Sequence, residues 1–172
     1  YFFQTQEKWK YSENSTLKFS GFYSDLGYET PGGLNPAQYE ANPIGARPRV
    51  GNTPGAIEQQ AGIYNKTLFV GLAHETFFRK NWKYVISLSG IRTDFENPFI
   101  TNYENRFEKN FALRTHLNYE KNGDHIALAY RLGFEGGIND ILIKNYDNNR
   151  GVEGNPQNFD KIKNTSGFYF IS

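Results

Sequence analysis

The sequence has no cysteine, no methionine and no long hydrophobic run. Without cysteine there can be no disulfide, thiolate zinc cluster or thiol chemistry. No stretch approaches the roughly 18 apolar residues that a transmembrane helix needs, so a helical membrane protein is excluded. An excess of one charge is also lacking, because 19 Lys and Arg balance 18 Asp and Glu. This balance gives no reason to propose nucleic-acid binding.

The sequence begins with Tyr1 rather than methionine, and apolar residues stand at both of its ends. Residues 1–3 read YFF and residues 168–172 read FYFIS, whereas finished domains usually fray into polar residues. We therefore expect a piece of a longer protein, with both ends inside strands. A mature protein after signal cleavage is the alternative, which would explain the missing start but not the apolar end.

The clearest pattern that is present is a hairpin at residues 110–135. Apolar residues occupy every second position from Phe111 to Tyr119, and the same alternation resumes from Ile126 to Phe134 after the link 121–124. One face of this hairpin is nearly all apolar and the other carries charged and small polar groups. Such a sheet separates an apolar medium from water, as both a soluble sandwich and a membrane barrel do.

The same alternation predicts seven strands in the whole chain, and the links between them alternate in length. The expected strands are 1–11, 16–26, 62–78, 82–90, 110–119, 126–135 and 161–172. The expected links are 12–15, 27–60, 79–81, 96–108, 121–124 and 136–160, and the alternative for the last link is that the preceding strand continues through Ile141 and Ile143. Short and longer links alternate, so all short turns would lie at one end of the sheet, as in outer-membrane barrels. The predicted fold is all-β: an antiparallel up-and-down meander of about seven strands, part of a larger transmembrane β-barrel.

Aromatic residues make up 17% of the sequence and concentrate near the short links. Trp9 and Tyr11 flank the first of these links, while Trp82 and Tyr84 follow the second. Amphipathic rings favour a membrane-water interface. The alternative interpretation is ordinary cross-strand aromatic pairing.

The link 27–60 is rich in proline and glycine, and its amino-acid sequence is similar to that of a known family. The relevant segments are 28–34 (YETPGGL), 37–39 (AQY), 42–43 (NP) and 46–48 (ARP), with 93–95 (TDF), 97–99 (NPF) and 110–111 (NF) further on. They resemble the barrels of TonB-dependent outer-membrane receptors, particularly iron-complex receptors related to ferric citrate receptors of Bacteroidetes. The resemblance covers most of the chain from Tyr28 onward.

This resemblance implies a barrel of about 22 strands closed around a plug, of which residues 1–172 would be a partial barrel domain. It implies a protein of the bacterial outer membrane that imports an iron chelate, a siderophore or ferric citrate, without catalysis and without a cofactor. The implied partners are the TonB complex, acting on regions that are not recognisable in this sequence, the ferric chelate and outer-membrane lipid.

The loop 27–60 would face outward, so its exposed side chains are the candidate substrate contacts. Tyr39, Arg47 and Arg49 are the predicted residues, because guanidinium groups suit the carboxylates of an anionic chelate and an aromatic ring stacks on it. The alternative for Arg47 is that it only secures the loop by bonding backbone carbonyls.

No metal site is predicted. His74, His116 and His125 lack the spacing and carboxylate partners of a metal site. Residues 147–153 begin like a calcium loop but lack its full acidic pattern. No nucleophile elbow, phosphate loop or paired-carboxylate motif is present.

A second functional hypothesis remains open. The chain could be a soluble all-β binding module or a small structural barrel of the cell surface, such as an adhesin. The transporter predicts solubility only in detergent and a much longer reading frame, and the alternative does not.

Overall fold

The computed structural model describes residues 1–123 and 126–172, which form one antiparallel sheet and one short helix. The elements are β1 (Phe2–Lys10), β2 (Ser15–Glu29), α1 (Pro36–Ala41), β3 (Gly62–Arg79), β4 (Trp82–Pro98), β5 (Tyr103–Asn122), β6 (Ala127–Asn148) and β7 (Glu153–Ile171). Each strand pairs with its neighbour in the chain, in the order β1 to β7. The prediction of an all-β, antiparallel, seven-stranded meander is therefore confirmed.

The sheet is open rather than closed. In the described ranges, β1 pairs only with β2 and β7 pairs only with β6, so both outer strands keep one unpaired edge. The seven strands are thus not a closed barrel by themselves. Unpaired edges are a site for further strand pairing.

Alternation of side chains across the pleat gives the sheet an apolar and a polar face. We call the face that carries Leu72, Leu88 and Leu113 the apolar face, because these residues lie opposite one another in the register of β3, β4 and β5. Glycines on this face lie under aromatic rings, either of the next strand or of their own strand. A Cβ added to Gly90 would come within 3.3 Å of the Phe111 ring, and one added to Gly136 within 3.0 Å of the Phe134 ring. These glycines let the rings lie flat against the sheet.

Two predicted loops are in fact strand. The link expected at 96–108 is reduced to residues 99–102, and the link expected at 136–160 is reduced to residues 149–152. The period-two pattern fades there because both faces carry polar side chains. Backbone hydrogen bonds between β5, β6 and β7 continue all the same.

The predicted sorting of long loops to one end is consequently wrong in two of three cases. The long link holds residues 30–61, including α1, whereas its two companions at that end have four residues each. At the other end, 11–14 and 80–81 are short as predicted. Of the turn predicted at 121–124, Lys121 and Asn122 belong to β5, and Asp124 lies outside the described residues, as does His125.

Helix is scarce in the structure. The helix α1 has six residues, and within the described ranges no helix has the length and hydropathy needed to cross a membrane.

The dry core is small and lies at the end of the sheet that carries the long link. Ala56 and Ala61 of that link pack with Ile100 of the β4–β5 turn, and each is at most 2% exposed. Ala46 packs against this group. We call the end of the sheet that carries these residues the rim.

Candidate functional site

The first candidate surface is a band of large apolar residues on the apolar face. Its members are Val70, Leu72, Ile86, Leu88, Phe111, Leu113, Leu117, Leu132, Phe134 and Ile138. We call this set the apolar band. Phe111 is 65% exposed, and Leu88 and Leu132 are each 55% exposed. Within the described part of the chain, no second layer covers them.

Both borders of the apolar band are marked by a change in side-chain chemistry. At the short-turn end, Trp82, Tyr119 and Tyr130 lie side by side, with ring centroids 4.8 and 6.4 Å apart. At the rim end, four charged residues lie side by side across β4 to β7. We call them the charged row: Arg92, Lys109, Asp140 and Lys163.

The height of the band follows from the register. Ten residues separate Tyr130 from Asp140 on β6, which is roughly 33 Å along a strand. A strand tilted by about 40° would span roughly 25 Å of that perpendicular to a bilayer, which is the height of the outward apolar band in outer-membrane barrels.

The opposite, polar face carries ion pairs and amides. Glu75 accepts from Lys18 at 2.6 Å and pairs with Lys83 at 3.2 Å. Asn110, Asn139 and Asn164 form an amide ladder across β5, β6 and β7. This face therefore suits water or a polar partner.

Two arginines on the polar face have partners within the sheet. Arg114 pairs with Glu135 at 3.4 Å, and the Arg131 Nε donates to the Asn118 Oδ1 at 2.9 Å. Their charges are thus directed along the sheet surface.

The second candidate surface is the long link 30–61 at the rim. It begins as a closed loop, because the Thr30 N–H donates to the Ala61 carbonyl at 2.8 Å. The helix α1 starts at a capping box, in which the Asn35 side chain accepts from the Gln38 N–H and the Gln38 side chain accepts from the Asn35 N–H. Reciprocal capping of this kind makes so short a helix stable.

The structure places the three predicted contact residues in this link but does not join them. Tyr39 lies on α1 and is 60% exposed. Arg49 is engaged by Glu58, which accepts from its Nε at 3.1 Å and also from its Nη2. Among the described residues, no hydrogen bond or ion pair involves the Arg47 guanidinium. The chelate contacts remain a prediction, in which Arg49 would have to exchange Glu58 for a ligand.

Arg47 does shape the loop, through its backbone. Its N–H donates to the Pro31 carbonyl at 2.7 Å, and its carbonyl accepts from the Ala56 N–H at 2.9 Å. The Arg47 side chain is therefore carried on a fixed segment.

The pair Arg49 and Glu58 also perturbs the carboxyl group. The hydrogen bond from Arg49 lowers the pKa of Glu58 below its ordinary value, against a smaller opposing effect of desolvation. Glu58 therefore stays ionised at mildly acid pH.

Two buried side chains hold the rim together. The Gln59 Nε2 donates to the carbonyls of Ile100 and Asn148, at 2.8 and 2.9 Å. In return, the Asn148 Nδ2 donates to the carbonyls of Gln59 and Phe99, at 2.8 and 2.5 Å. We call this reciprocal pair the amide clamp. It joins the long link to the β4–β5 turn and to the end of β6.

The amide clamp also sets the turn that follows β6. The Asn148 Oδ1 accepts from the Gly151 N–H at 2.7 Å. Gly151 has a φ of 84°, a left-handed conformation that favours glycine. An added Cβ would also lie 2.6 Å from the Gln60 side chain, so any other residue would disturb the rim.

A depression of about 370 Å³ lies beside the amide clamp. It is lined by Glu29, Thr30, Ile44, Ile57 and Gln60, among others. The buried Thr30 hydroxyl in this wall has no hydrogen-bond partner in the described residues.

A tyrosine at the rim has an altered acidity. Burial raises the pKa of Tyr103 above its ordinary value. The Tyr103 hydroxyl also donates a hydrogen bond to the Glu96 Oε2 at 2.9 Å, and the Glu96 carboxylate raises the pKa further. Tyr103 therefore remains a neutral donor across the physiological pH range.

The described residues contain no group of three or more His, Cys, Asp or Glu side chains suited to a metal ion. His74 and His116 lie on β3 and β5, while His125 lies outside the described residues.

Reasoning from sequence missed the amide clamp. Gln59 and Asn148 lie 89 residues apart, and a lone Gln or Asn in a polar stretch gives no signal of burial. A comparison with models of known protein families and with curated proteins found no match.

Proposed function

We propose that this chain is a segment of a transmembrane β-barrel of the bacterial outer membrane, and that the barrel imports an iron chelate in a TonB-dependent manner. The chain would supply part of the barrel wall and one large outward loop. Energy would come from the inner-membrane TonB complex, and no catalytic step is expected.

One observation carries the membrane part of this proposal: the apolar band ends at an aromatic row on one side and at the charged row on the other. A surface with these borders matches a hydrocarbon layer between two interfaces. The polar face, with its amides and ion pairs, would line the lumen.

The exposure of leucines on the apolar face argues against the soluble binding module. A soluble sandwich buries one face of each sheet against a second layer. Here Leu68, Leu128 and Leu132 are 51%, 43% and 55% exposed. So large an apolar surface suits lipid rather than water.

The transport part of the proposal rests on the likeness of the link 30–61 to loops of TonB-dependent receptors. That link is held at the rim by the amide clamp, and it presents Tyr39 and Arg47 on a fixed segment. A carboxylate-rich ferric chelate would meet an aromatic ring and a guanidinium there. Release into the lumen would then follow rearrangement of a plug.

Site-directed cysteine labelling tests the membrane part. Because these 172 residues contain no cysteine, an introduced cysteine is the only thiol among them that can react. We would introduce Leu88→Cys in the apolar band and Ile57→Cys in the loop, where Ile57 is 80% exposed. A charged, water-soluble maleimide added to intact cells is expected to label Ile57→Cys and to spare Leu88→Cys. Rapid labelling of both positions would contradict the membrane assignment.

Uptake of radioactive ferric citrate tests the transport part. Uptake is expected to depend on the proton motive force and to fall in Arg47→Ala, with Lys10→Ala as the charge-matched control at the opposite end of the sheet. Normal uptake after deletion of the protein would contradict the assignment.

A further inference from the structure

A groove of about 600 Å³ runs within the apolar band. Leu72, Leu88 and Ile138 contribute to its walls, and its lining is almost wholly apolar. Gly90 and Gly136 lie in this lining and contribute no side chain. The missing side chains leave a channel between the leucines and the aromatic rings.

The charged row begins where this groove stops. On four of the five strands that line the groove, the next same-face residue toward the rim is charged, as in the steps from Gly90 to Arg92, Phe111 to Lys109, Ile138 to Asp140 and Thr165 to Lys163. On β3 the corresponding residue is Leu68. Two residues along a strand cover roughly 6.6 Å. An apolar channel and a set of charges thus share one face at the spacing of a lipid tail and its headgroup.

Three of these charges, Arg92, Lys109 and Asp140, line a second depression of about 310 Å³ together with Lys161, Asp94 and Glu108. Asp94 and Glu108 are engaged by Arg92 and Arg106, at 3.0 and 2.9 Å. Within the described residues, no ion pair of 4.0 Å or less involves Lys109, Lys161, Lys163 or Asp140. Asp140 lies between Lys109 and Lys163 in the register. Three ammonium groups outside ion pairs therefore lie near one such carboxylate, which leaves a cationic surplus.

We propose that this surface binds a membrane lipid with an anionic phosphate headgroup. Its acyl chain lies in the groove, and its phosphate contacts Lys109 and Lys163. The inference rests on the proposed function, because it requires the apolar band to face lipid. It goes further in naming the lipid class and the residues that select it.

The assignment to an anionic lipid needs both the apolar groove and the lysines beside it. A free phosphate would gain nothing from the groove, and a zwitterionic lipid would gain little from unpaired ammonium groups. Lysines near a membrane surface each contribute measurably to the binding of anionic lipid. Asp140 opposes the same phosphate, so its neutralisation is expected to strengthen binding.

The test uses the full protein, purified in detergent and equilibrated with equal amounts of dimyristoylphosphatidylglycerol and dimyristoylphosphatidylcholine. Native mass spectrometry measures the retained lipid. The two lipids have identical acyl chains, so a preference reports the headgroup. We expect preferential retention of the phosphatidylglycerol, a loss of that preference by about ten-fold or more in Lys109→Gln/Lys163→Gln, and a gain in Asp140→Asn.

The matched control is Lys8→Gln/Lys10→Gln, which removes two lysines from the polar face of β1 and is expected to change nothing. Equal retention of the two lipids, or a preference unaffected by Lys109→Gln/Lys163→Gln, would overturn the proposal. So would displacement of the lipid by inorganic phosphate, or equal retention of dihexanoylphosphatidylglycerol, whose chains are too short to fill the groove.

The labelling experiment separates the two possible failures. If Leu88→Cys is protected in cells and no headgroup preference is found, the lipid site is wrong and the membrane assignment stands. If Leu88→Cys reacts with the water-soluble maleimide, both are wrong.

Discussion

In the apolar band, large side chains such as Leu88 and Leu132 are more than half exposed, whereas at the rim Ala56 and Ile100 are buried. The band has regular alternation and backbone pairing, with no second layer in the described residues. The rim has little apolar mass and is joined by side-chain amides. Two regions of one sheet thus depend on different environments for their stability.

The rim and the apolar band differ in the contacts that stabilise them. The rim contains its own partners, since the amide clamp satisfies carbonyls of three separate segments. The apolar band lacks such partners in the described residues, and under the proposed function the surrounding lipid covers it. A change of solvent should therefore affect the band and leave the rim nearly unchanged.

The largest expected effect comes from placing a charge in the apolar band. Leu88→Arg is expected to destabilise the inserted protein by about 2–4 kcal/mol, because an arginine near the bilayer midplane loses its hydration. Urea unfolding in lipid vesicles measures the change. The matched control is Ser89→Arg, one residue along on the polar face, where the row of Ser20, Gly71, Ala112 and Gly137 leaves room.

The opposite result would remove the contrast between the two regions. If Leu88 faced water, Leu88→Arg would shift the unfolding free energy by no more than about 0.5 kcal/mol. Equal effects of Leu88→Arg and Ser89→Arg would likewise contradict the assignment of the two faces.

A smaller effect is expected from breaking the amide clamp. Gln59→Ala removes a buried donor and leaves the carbonyls of Ile100 and Asn148 unsatisfied, at a cost of about 1–3 kcal/mol. Hydrogen exchange should quicken in residues 30–61 and 149–152 and stay unchanged in the apolar band. The control Gln6→Ala, at an exposed position of β1, should leave exchange at the rim nearly unaltered. Uniform loss of protection over the whole sheet would show that the rim is not an independent unit.

The smallest effect concerns the acid end of the pH range. Because Arg49 lowers the pKa of Glu58 in the folded state, this pair stabilises the loop above the ordinary pKa of 4.5, and the contribution is lost as pH falls through the lowered value. Hydrogen exchange of residues 49–58 should therefore quicken only on acidification. In Glu58→Gln that acid dependence should disappear, and an unchanged acid dependence would assign it to another group.

The sequence predicted the sheet well where one face is apolar and the other polar. Strict alternation in β5 and β6 identified the hairpin and both of its faces, because burial in lipid or protein selects for one residue class at every second position. Beyond the charged row this selection stops. There β5, β6 and β7 continue to pair through backbone hydrogen bonds, whereas the sequence of residues 139–148 (NDILIKNYDN) predicted a loop, with continuation of the strand through Ile141 and Ile143 only as the alternative.

Contacts at the rim were beyond prediction for another reason. The amide clamp depends on two polar residues that become neighbours only after the whole meander has formed. Likewise, the engagement of Arg49 by Glu58 depends on the course of the loop between them. Tyr39, by contrast, lies exposed on the loop, as its polar surroundings in the sequence suggested.

The great length of β6, at 22 residues, carries a consequence for what can reach this protein. Asn148 lies eight residues after Asp140 on β6. This spacing places the rim roughly 20 Å above the charged row for strands tilted by about 40°. Under the proposed function, a particle too bulky to enter the lumen would still touch the rim. First contact and passage would then take place at different heights, and an agent that covers the rim could block import without approaching the bilayer.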